Sequence, residues 1–324
     1  MSGMRLSVAM CTYNGARYLE EQLDSIAAQI RQPDELVVCD DHSTDATVEI
    51  IQTFISRAVF PVRLIKNENN LGSTKSFETA IDLCTGDIIA LSDQDDVWQA
   101  DKLMLIEAKF VDSPSIGLVF TDAVVVDEYL RPMGYRIWQS LGFNLADRKK
   151  IEAGKAVEVL LKRNIVTGAT MAIRANFKKV FMPIPSEWAH DAWIALMVAA
   201  CADLGMIPEP TIKYRQHINQ QIGIKRNGFL KKLTMARGTK SNTYLNQLEK
   251  YRAAHEWLIE NVEVLPGKEV ALQLEDKMAH LTVRGNIPAG ILPRLFSVIE
   301  ELRTYRYHRY SYGWKSAVKD LIYG

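Results

Sequence analysis

Three carboxylates within four residues, Asp93-Gln94-Asp95-Asp96, are the densest concentration of chemistry in this chain. They follow the apolar run Ile88–Leu91 and repel one another unless a cation lies among them. Hard oxygen ligands in that number suit Mg²⁺ or Mn²⁺, and a diphosphate can complete the octahedron. The same residues can also form an acidic turn that caps a helix near Asp101. A second acidic pair, Asp40-Asp41 in VVCDDHSTD, again allows two roles. One is a helix cap shared with Ser43 or Asp45. The other is a carboxylate that accepts the imide N–H of uracil or thymine, with Tyr13 stacked on the ring. Asp191 opens an apolar helix beside Trp188 and Trp193. It is either an acid favoured by the helix dipole or a general base whose pKa those tryptophans set. Tyr214-Arg215-Gln216-His217 groups a cation, an amide and an imidazole. Arg215 suits a leaving phosphate and neutral His217 a metal, while a hydrogen-bonded structural histidine is the alternative.

These groups need a scaffold, and the first 120 residues supply alternating strands and helices. Leu6–Cys11, Leu36–Cys39, Val62–Ile65, Ile88–Leu91 and Ile116–Phe120 read as buried strands. Tyr18–Ile30, Ala46–Ile55, Ser73–Cys84 and Asp101–Phe110 carry helical spacing, with Thr44 or Asp45 as the N-cap of the second. Repeated βα units predict a mostly parallel sheet with helices on both faces and a ligand site at the carboxyl ends of the strands. Thr12-Tyr13-Asn14, Asp40-Asp41 and Asp93–Asp96 all fall there. Beyond residue 120, Val124–Val126, Ile165–Ile173 and Thr211–Tyr214 read as strands and His190–Ala202 as a helix. From about residue 226 the chain is helix-compatible, broken at Pro266-Gly267 and between Pro288 and Pro293.

The 324 residues are 48% hydrophobic and 24% charged, with 39 basic against 39 acidic side chains. That balance fits a globular α/β protein and argues against a nucleic-acid binder. Cys11, Cys39, Cys84 and Cys201 are scattered without metal-like spacing, which predicts free thiols in a reducing compartment. The N-terminus reads as a core strand rather than a signal peptide, and no run approaches the roughly 18 apolar residues of a membrane span. A cytoplasmic location is expected. The aromatic–basic stretch Arg303–Lys315, with Lys225-Arg226 and Lys231-Lys232, has two readings. It is either a peripheral contact with anionic lipid on the cytoplasmic face of the membrane or a helix packed by its aromatic side.

Together, Val8–Gly15, Val38–Asp45, Asn70-Leu71-Gly72, Thr85-Gly86-Asp87, Asp93–Trp98 and Asp101-Lys102-Leu103 resemble glycosyltransferase family 2 in order and spacing. The resemblance covers about residues 5 to 220. Ser92–Trp98, His190–Trp193 and Tyr214–His217 are similar to its bacterial rhamnosyltransferase-like branch. It implies a GT-A fold, Rossmann-like with a mostly parallel sheet flanked by helices, over residues 1–222, and a helical C-terminal region over 223–324. It also implies an inverting, metal-dependent transfer of rhamnose or another hexose from a dTDP- or UDP-linked donor. The acceptor would be a saccharide or lipid-linked oligosaccharide of cell-surface polysaccharide or O-antigen synthesis.

Carried over by position, Asp41 reads the base with Tyr13 beside it, and Asp93 and Asp95 form the DxD pair with Asp95 the preferred metal ligand. Asp96 lies near the donor or acceptor, Asp191 is the catalytic base, and His217 binds the metal or diphosphate. Thr12, Asn14, Lys75 and Arg215 complete the expected donor-binding set. His42 stands where the family commonly has Gly, which bears on the turn there. Two alternatives are a catalytically inactive nucleotide-sugar-binding scaffold and a haloacid-dehalogenase-like phosphatase, whose DxDx[TV] signature Asp93–Val97 also fits. The phosphatase motif normally ends the first strand, whereas three βα units precede it here.

Overall fold

The computed structural model describes residues 3–217, 241–261 and 268–323. They form two compact units, Met1–Gly154 with Ile165–Ile224, and Lys155–Asn164 with Lys225–Gly324.

The first unit is built on one nine-stranded sheet. Its opening half alternates β1 (Leu6–Thr12), α1 (Leu19–Ala27), β2 (Glu35–Asp40), α2 (Thr47–Arg57), β3 (Val62–Lys66), α3 (Ser73–Leu83) and β4 (Ile88–Ser92). β2 and β4 are buried end to end, as expected of strands covered on both faces, while edge strand β3 is partly exposed. The second half adds β5 (Val97–Trp98), α4 (Lys102–Asp112), β6 (Ile116–Val126), β7 (Pro132–Arg136), α5 (Ile137–Ser140) and α6 (Leu145–Glu152). β8 (Met171–Arg174), α8 (Lys178–Phe181), α9 (His190–Ala199) and β9 (Asp203–Arg215) complete the unit, and α7 (Ala156–Leu160) lies in the second one.

The strand order is β3-β2-β1-β4-β8-β6-β9-β5, with β7 on β6. β1, β2, β3 and β4 pair in parallel, as do β6 and β9. β8, β5 and β7 join antiparallel, so the sheet is mixed beyond β4. Register sets Thr12 beside Asp40 and Met10 beside Ser92. The segments that follow β1, β2 and β4 therefore leave the sheet at one edge.

Three strands differ from the sequence reading. Ile116–Phe120 and Val124–Val126 are one strand, β6. The polar pair that seemed to divide them is buried and bonded: Thr121 Oγ1 lies 2.7 Å from Thr211 Oγ1, and Asp122 Oδ1 accepts Ala123 N and Trp138 N. β9 spans thirteen residues because its prolines fall where the register jumps from Thr121↔Ile207 to Asp122↔Pro210, a bulge that tolerates a missing N–H. Conversely, Ile165–Thr167 are not a strand. Thr170 donates both N–H and Oγ–H to Thr167 O and closes a 3₁₀ turn, Gly168–Thr170, before β8 begins.

The second unit is helical: α10 (Ser241–Glu260), α11 (Lys268–Gly285), α12 (Ile291–Arg303), α13 (Arg306–Tyr310) and α14 (Trp314–Tyr323), together with α7. Part of the aromatic–basic stretch is packed by its aromatic side, as one of the two readings expected. Tyr307 and Tyr310 are buried, and Arg306 pairs with Asp276 at 2.5 Å and with Glu301 at 3.3 Å. Tyr305, Tyr312 and Trp314 remain 62–64% exposed. The basic residues 225–232 lie outside the described residues, as do Pro266-Gly267 and the expected boundary at 222–223. No helix among the described residues is long and apolar enough to cross a membrane.

Candidate active site

The carboxylate loop is held from both sides. β4 delivers Asp93 at the sheet edge, and β5 pairs Val97 with Lys213 and Trp98 with Ile212 on β9. One ligand oxygen from each of Asp93, Asp95 and Asp96 can lie within 4.8 Å of the others. Burial, then the charges of Asp95 and Asp191, push Asp93 up to about 7. Burial, then the charges of Asp95 and Asp93, raise Asp96 well above the carboxylate range. Asp96 is fully buried, its Oδ1 accepts Arg215 N at 2.9 Å, and its Oδ2 has no hydrogen-bond partner among the described residues. A cluster of acids that holds protons near neutrality and leaves a buried oxygen unbonded has the donor chemistry of a divalent-cation site.

Lys102 stands on α4, behind the loop. It is fully buried, its Nζ donates to Ala169 O at 2.8 Å and it lies 3.6 Å over the Trp98 ring. Burial drives its pKa well down, against the pull of Asp96 and Asp93. At the end of β9, His217 Nε2 lies 2.7 Å from Asp95 Oδ2, and the imidazole packs on Tyr18 at 4.8 Å.

Asp191 enters from the N-terminus of α9. Its Oδ1 accepts Ala192 N at 2.6 Å, and its Oδ2 accepts Gly168 N at 3.3 Å. The 3₁₀ turn that interrupts the expected strand thus orients this carboxylate. Gly168 has no substitute there, because a Cβ would stand 2.6 Å from His190 Nε2. His190 stacks on Phe77 at 4.2 Å, and burial lowers its pKa, which keeps it neutral. Its Nε2 has no hydrogen-bond partner among the described residues.

Asp41 is almost fully buried at the end of β2. Its carboxylate accepts Asn67 Nδ2 at 2.9 Å, Leu71 N at 2.8 Å and Gly72 N at 2.8 Å. These bonds explain why an Asn-Leu-Gly segment follows β3: its backbone wraps the acid. His42 adopts φ +67°, the left-handed region that a glycine enters freely. Asp40 points away, to Thr12 Oγ1, Ser43 Oγ and Ser43 N. The N-cap of α2 is Ala46 rather than the expected Thr44 or Asp45, and Asp45 accepts Thr47 N at 3.0 Å from one residue further upstream.

Asp41, Tyr13, Asp93, Asp95, Asp191 and His217 all line one cavity of about 200 Å³. Residues given no role from sequence complete its wall, among them Gln94, Phe77, Thr167, Gly168, His190 and Tyr214. Gln94 locks Tyr13 in place, accepting Tyr13 N at 2.8 Å and donating to Tyr13 O at 3.0 Å. Both signals were present in the sequence, Gln94 inside the acidic motif and His190 beside Asp191.

Five expected donor residues do not line this cavity. Thr12 is buried against Asp40, and Asn14 accepts Thr44 N through Oδ1. Lys75 Nζ is taken by Ile184 O and Glu78. Asp96 lies beneath the cavity. Arg215 is 1% exposed and staples the carboxylate loop instead of meeting a phosphate, donating to Asp95 O, Glu128 O and the Glu21 carboxylate. Trp188 and Trp193 are likewise absent from the wall. Trp193 is buried with its indole N–H on Phe181 O, while Phe77 and His190 share the cavity wall with Asp191.

The family model for glycosyl transferase family 2 matches residues 7–180, more than half of the chain. The dTDP-rhamnosyl transferase RfbG of Shigella flexneri is 30% identical over 234 residues, covering 66% of this chain and 73% of that protein. Relatives in Mycobacterium tuberculosis and Mycobacterium bovis are 26% identical over 223 residues, and the match spans 59% of their length. The structure of Staphylococcus aureus TarS 1-349 shares the fold over 98% of this chain and 80% of that one, with a TM-score of 0.58 at 18% identity. The mannosyltransferase PcManGT from Pyrobaculum calidifontis, solved with GDP-Man and Mn²⁺, shares it over 99% and 86%, with a TM-score of 0.52 at 18% identity. The helix-flanked, mostly parallel sheet is thus the GT-A architecture that the motifs implied, and the phosphatase alternative falls. The matched segment takes in β1, β2 and β4 with the Asp41 and Asp93–Asp95 motifs of the cavity, and over more than half of its length this chain belongs to glycosyltransferase family 2.

Proposed function

We propose that this chain is an inverting, metal-dependent glycosyltransferase that moves rhamnose or another hexose from a dTDP- or UDP-linked donor to a saccharide hydroxyl. The reading places it in cell-surface polysaccharide synthesis, acting on a saccharide or lipid-linked oligosaccharide at the cytoplasmic face of the membrane. The observation that carries it is the convergence of Asp41, the Asp93–Asp95 pair and Asp191 on one cavity from three separate parts of the chain. RfbG, named for dTDP-rhamnosyl transfer, and a TarS structure in complex with UDP-GlcNAc support the donor class.

Asp41 has about four lone-pair sites and spends three on Asn67, Leu71 and Gly72, which leaves one for an imide N–H. Tyr13, 44% exposed at the mouth, offers a ring for the base. Asp93, Asp95 and Asp96, with His217, are the residues that would hold Mg²⁺ or Mn²⁺. When bound there, the ion supplies charge to the departing diphosphate. Asp191 takes the proton from the attacking acceptor hydroxyl. Its two backbone bonds fix the carboxylate, and a single displacement at the anomeric carbon inverts configuration without a covalent enzyme intermediate.

Thermal stabilisation by nucleoside diphosphates with and without Mn²⁺ tests this reading. A ligand at 100 times its dissociation constant adds about 2.7 kcal/mol. A metal-dependent shift with dTDP or UDP is expected, followed by sugar transfer. Absence of any nucleotide shift overturns the reading, and binding without transfer to any acceptor favours the inactive scaffold.

A further inference from the structure

The first unit holds a second and larger cavity, of about 660 Å³, that no step above uses. β6, β7, α5 and the start of α6 enclose it, and its charged lining is Asp122, Arg136 and Arg148. Two guanidinium groups face one carboxylate, so the cavity has one positive charge in excess. That carboxylate is largely committed. Its Oδ1 accepts Trp138 N and Ala123 N, and its Oδ2 stands 3.9 Å from Arg136 Nη1. Arg148 lies over the Trp138 ring at 4.8 Å and the Phe143 ring at 5.6 Å. Its Nε is buried and has no hydrogen-bond partner among the described residues. A buried, charged N–H left unbonded is costly, and a planar guanidinium held on aromatic rings is preorganised for an oxyanion.

We propose that this cavity is a binding site for a saccharide bearing an oxyanion, a phosphate or a carboxylate. The Arg148 guanidinium faces the anion from its seat on the two rings, and Arg136, half exposed at the mouth, adds a second charge-assisted contact. Tyr135 presents an aromatic wall to the sugar. The binding claim stands without the transferase reading; resting on that reading, this is where the charged part of the acceptor docks.

The test is calorimetric titration of the full chain with glucose 6-phosphate, glucuronate, glucose and inorganic phosphate, alongside UDP and dTDP. Glucose 6-phosphate or glucuronate is expected to bind at least about tenfold tighter than glucose, and the preferred one identifies the anion. Arg148→Met should weaken that binding by about tenfold or more, Arg148→Lys and Arg136→Gln by less, with nucleotide affinity unchanged in all three. Unchanged nucleotide binding in the same samples shows that the variants are folded. The proposal is overturned if neither anionic sugar outbinds glucose, or if binding survives Arg148→Met. Inorganic phosphate binding as tightly as the sugar phosphate overturns the saccharide assignment. Loss of nucleotide binding by the unmodified chain counts against the transferase reading and leaves this site to be judged on its own titration.

Discussion

Replacing Asp93 by Asn should make the metal-free protein more stable at neutral pH while weakening its response to a divalent ion. Asp93 titrates near 7 in the folded chain because of burial and the charges of Asp95 and Asp191, against 3.8 for a free carboxyl. Between those values the folded state holds a proton that the unfolded chain has released, so stability falls as pH rises from about 4 to 7. The shift of roughly three units corresponds to a ceiling of about 4 kcal/mol at 1.36 kcal/mol per unit. For a domain of this size that is on the order of several degrees in melting temperature. Asn cannot ionise and escapes the loss. Melting in chelator at pH 5, 6, 7 and 8 should show wild type declining more steeply than Asp93→Asn, with the curves separating most at pH 8. Adding Mn²⁺ should recover wild type and move the variant less. Equal pH slopes for the two proteins would refute the idea that burial and mutual repulsion in this cluster store the energy that an ion releases.

Three further outcomes follow from the same geometry. Asp191→Asn should lower kcat by about 10²–10⁴, with nucleotide affinity measured by titration within about twofold of wild type. Gly168→Ala places a methyl group 2.6 Å from His190 Nε2, so the turn that donates to Asp191 must shift and kcat should drop by about tenfold or more in a steady-state transfer assay. At His42, φ +67° makes Val costly by about 1–2 kcal/mol, whereas Gly should cost nothing by chemical denaturation; equal losses would remove the backbone argument.

The parallel half of the fold was legible because β1, β2 and β4 are largely apolar runs ending in polar clusters, and parallel pairing brings such ends together. Two of the carboxylates that line the cavity were legible for the same reason: Asp41 and Asp93 directly follow the ends of β2 and β4. What escaped were features set by tertiary bonds. Nothing local to Thr121-Asp122 announces that Thr211 and the Trp138 backbone will satisfy them inside a strand, nor that a bulge will carry Pro208 and Pro210. Arg215 suggested a phosphate ligand by its type, yet only the fold reveals Asp95 O, Glu128 O and Glu21 as its partners. His190 was passed over because its neighbour carried the stronger signal.

The continuity of β6 also joins the two cavities. Asp122 and Val124 border the larger cavity, while the next residue, Val125, is paired with Tyr214, which borders the smaller one. One step along a strand is about 3.3 Å. With no break in the strand between them, a strain that reaches β6 from one cavity is carried to the wall of the other within a single residue.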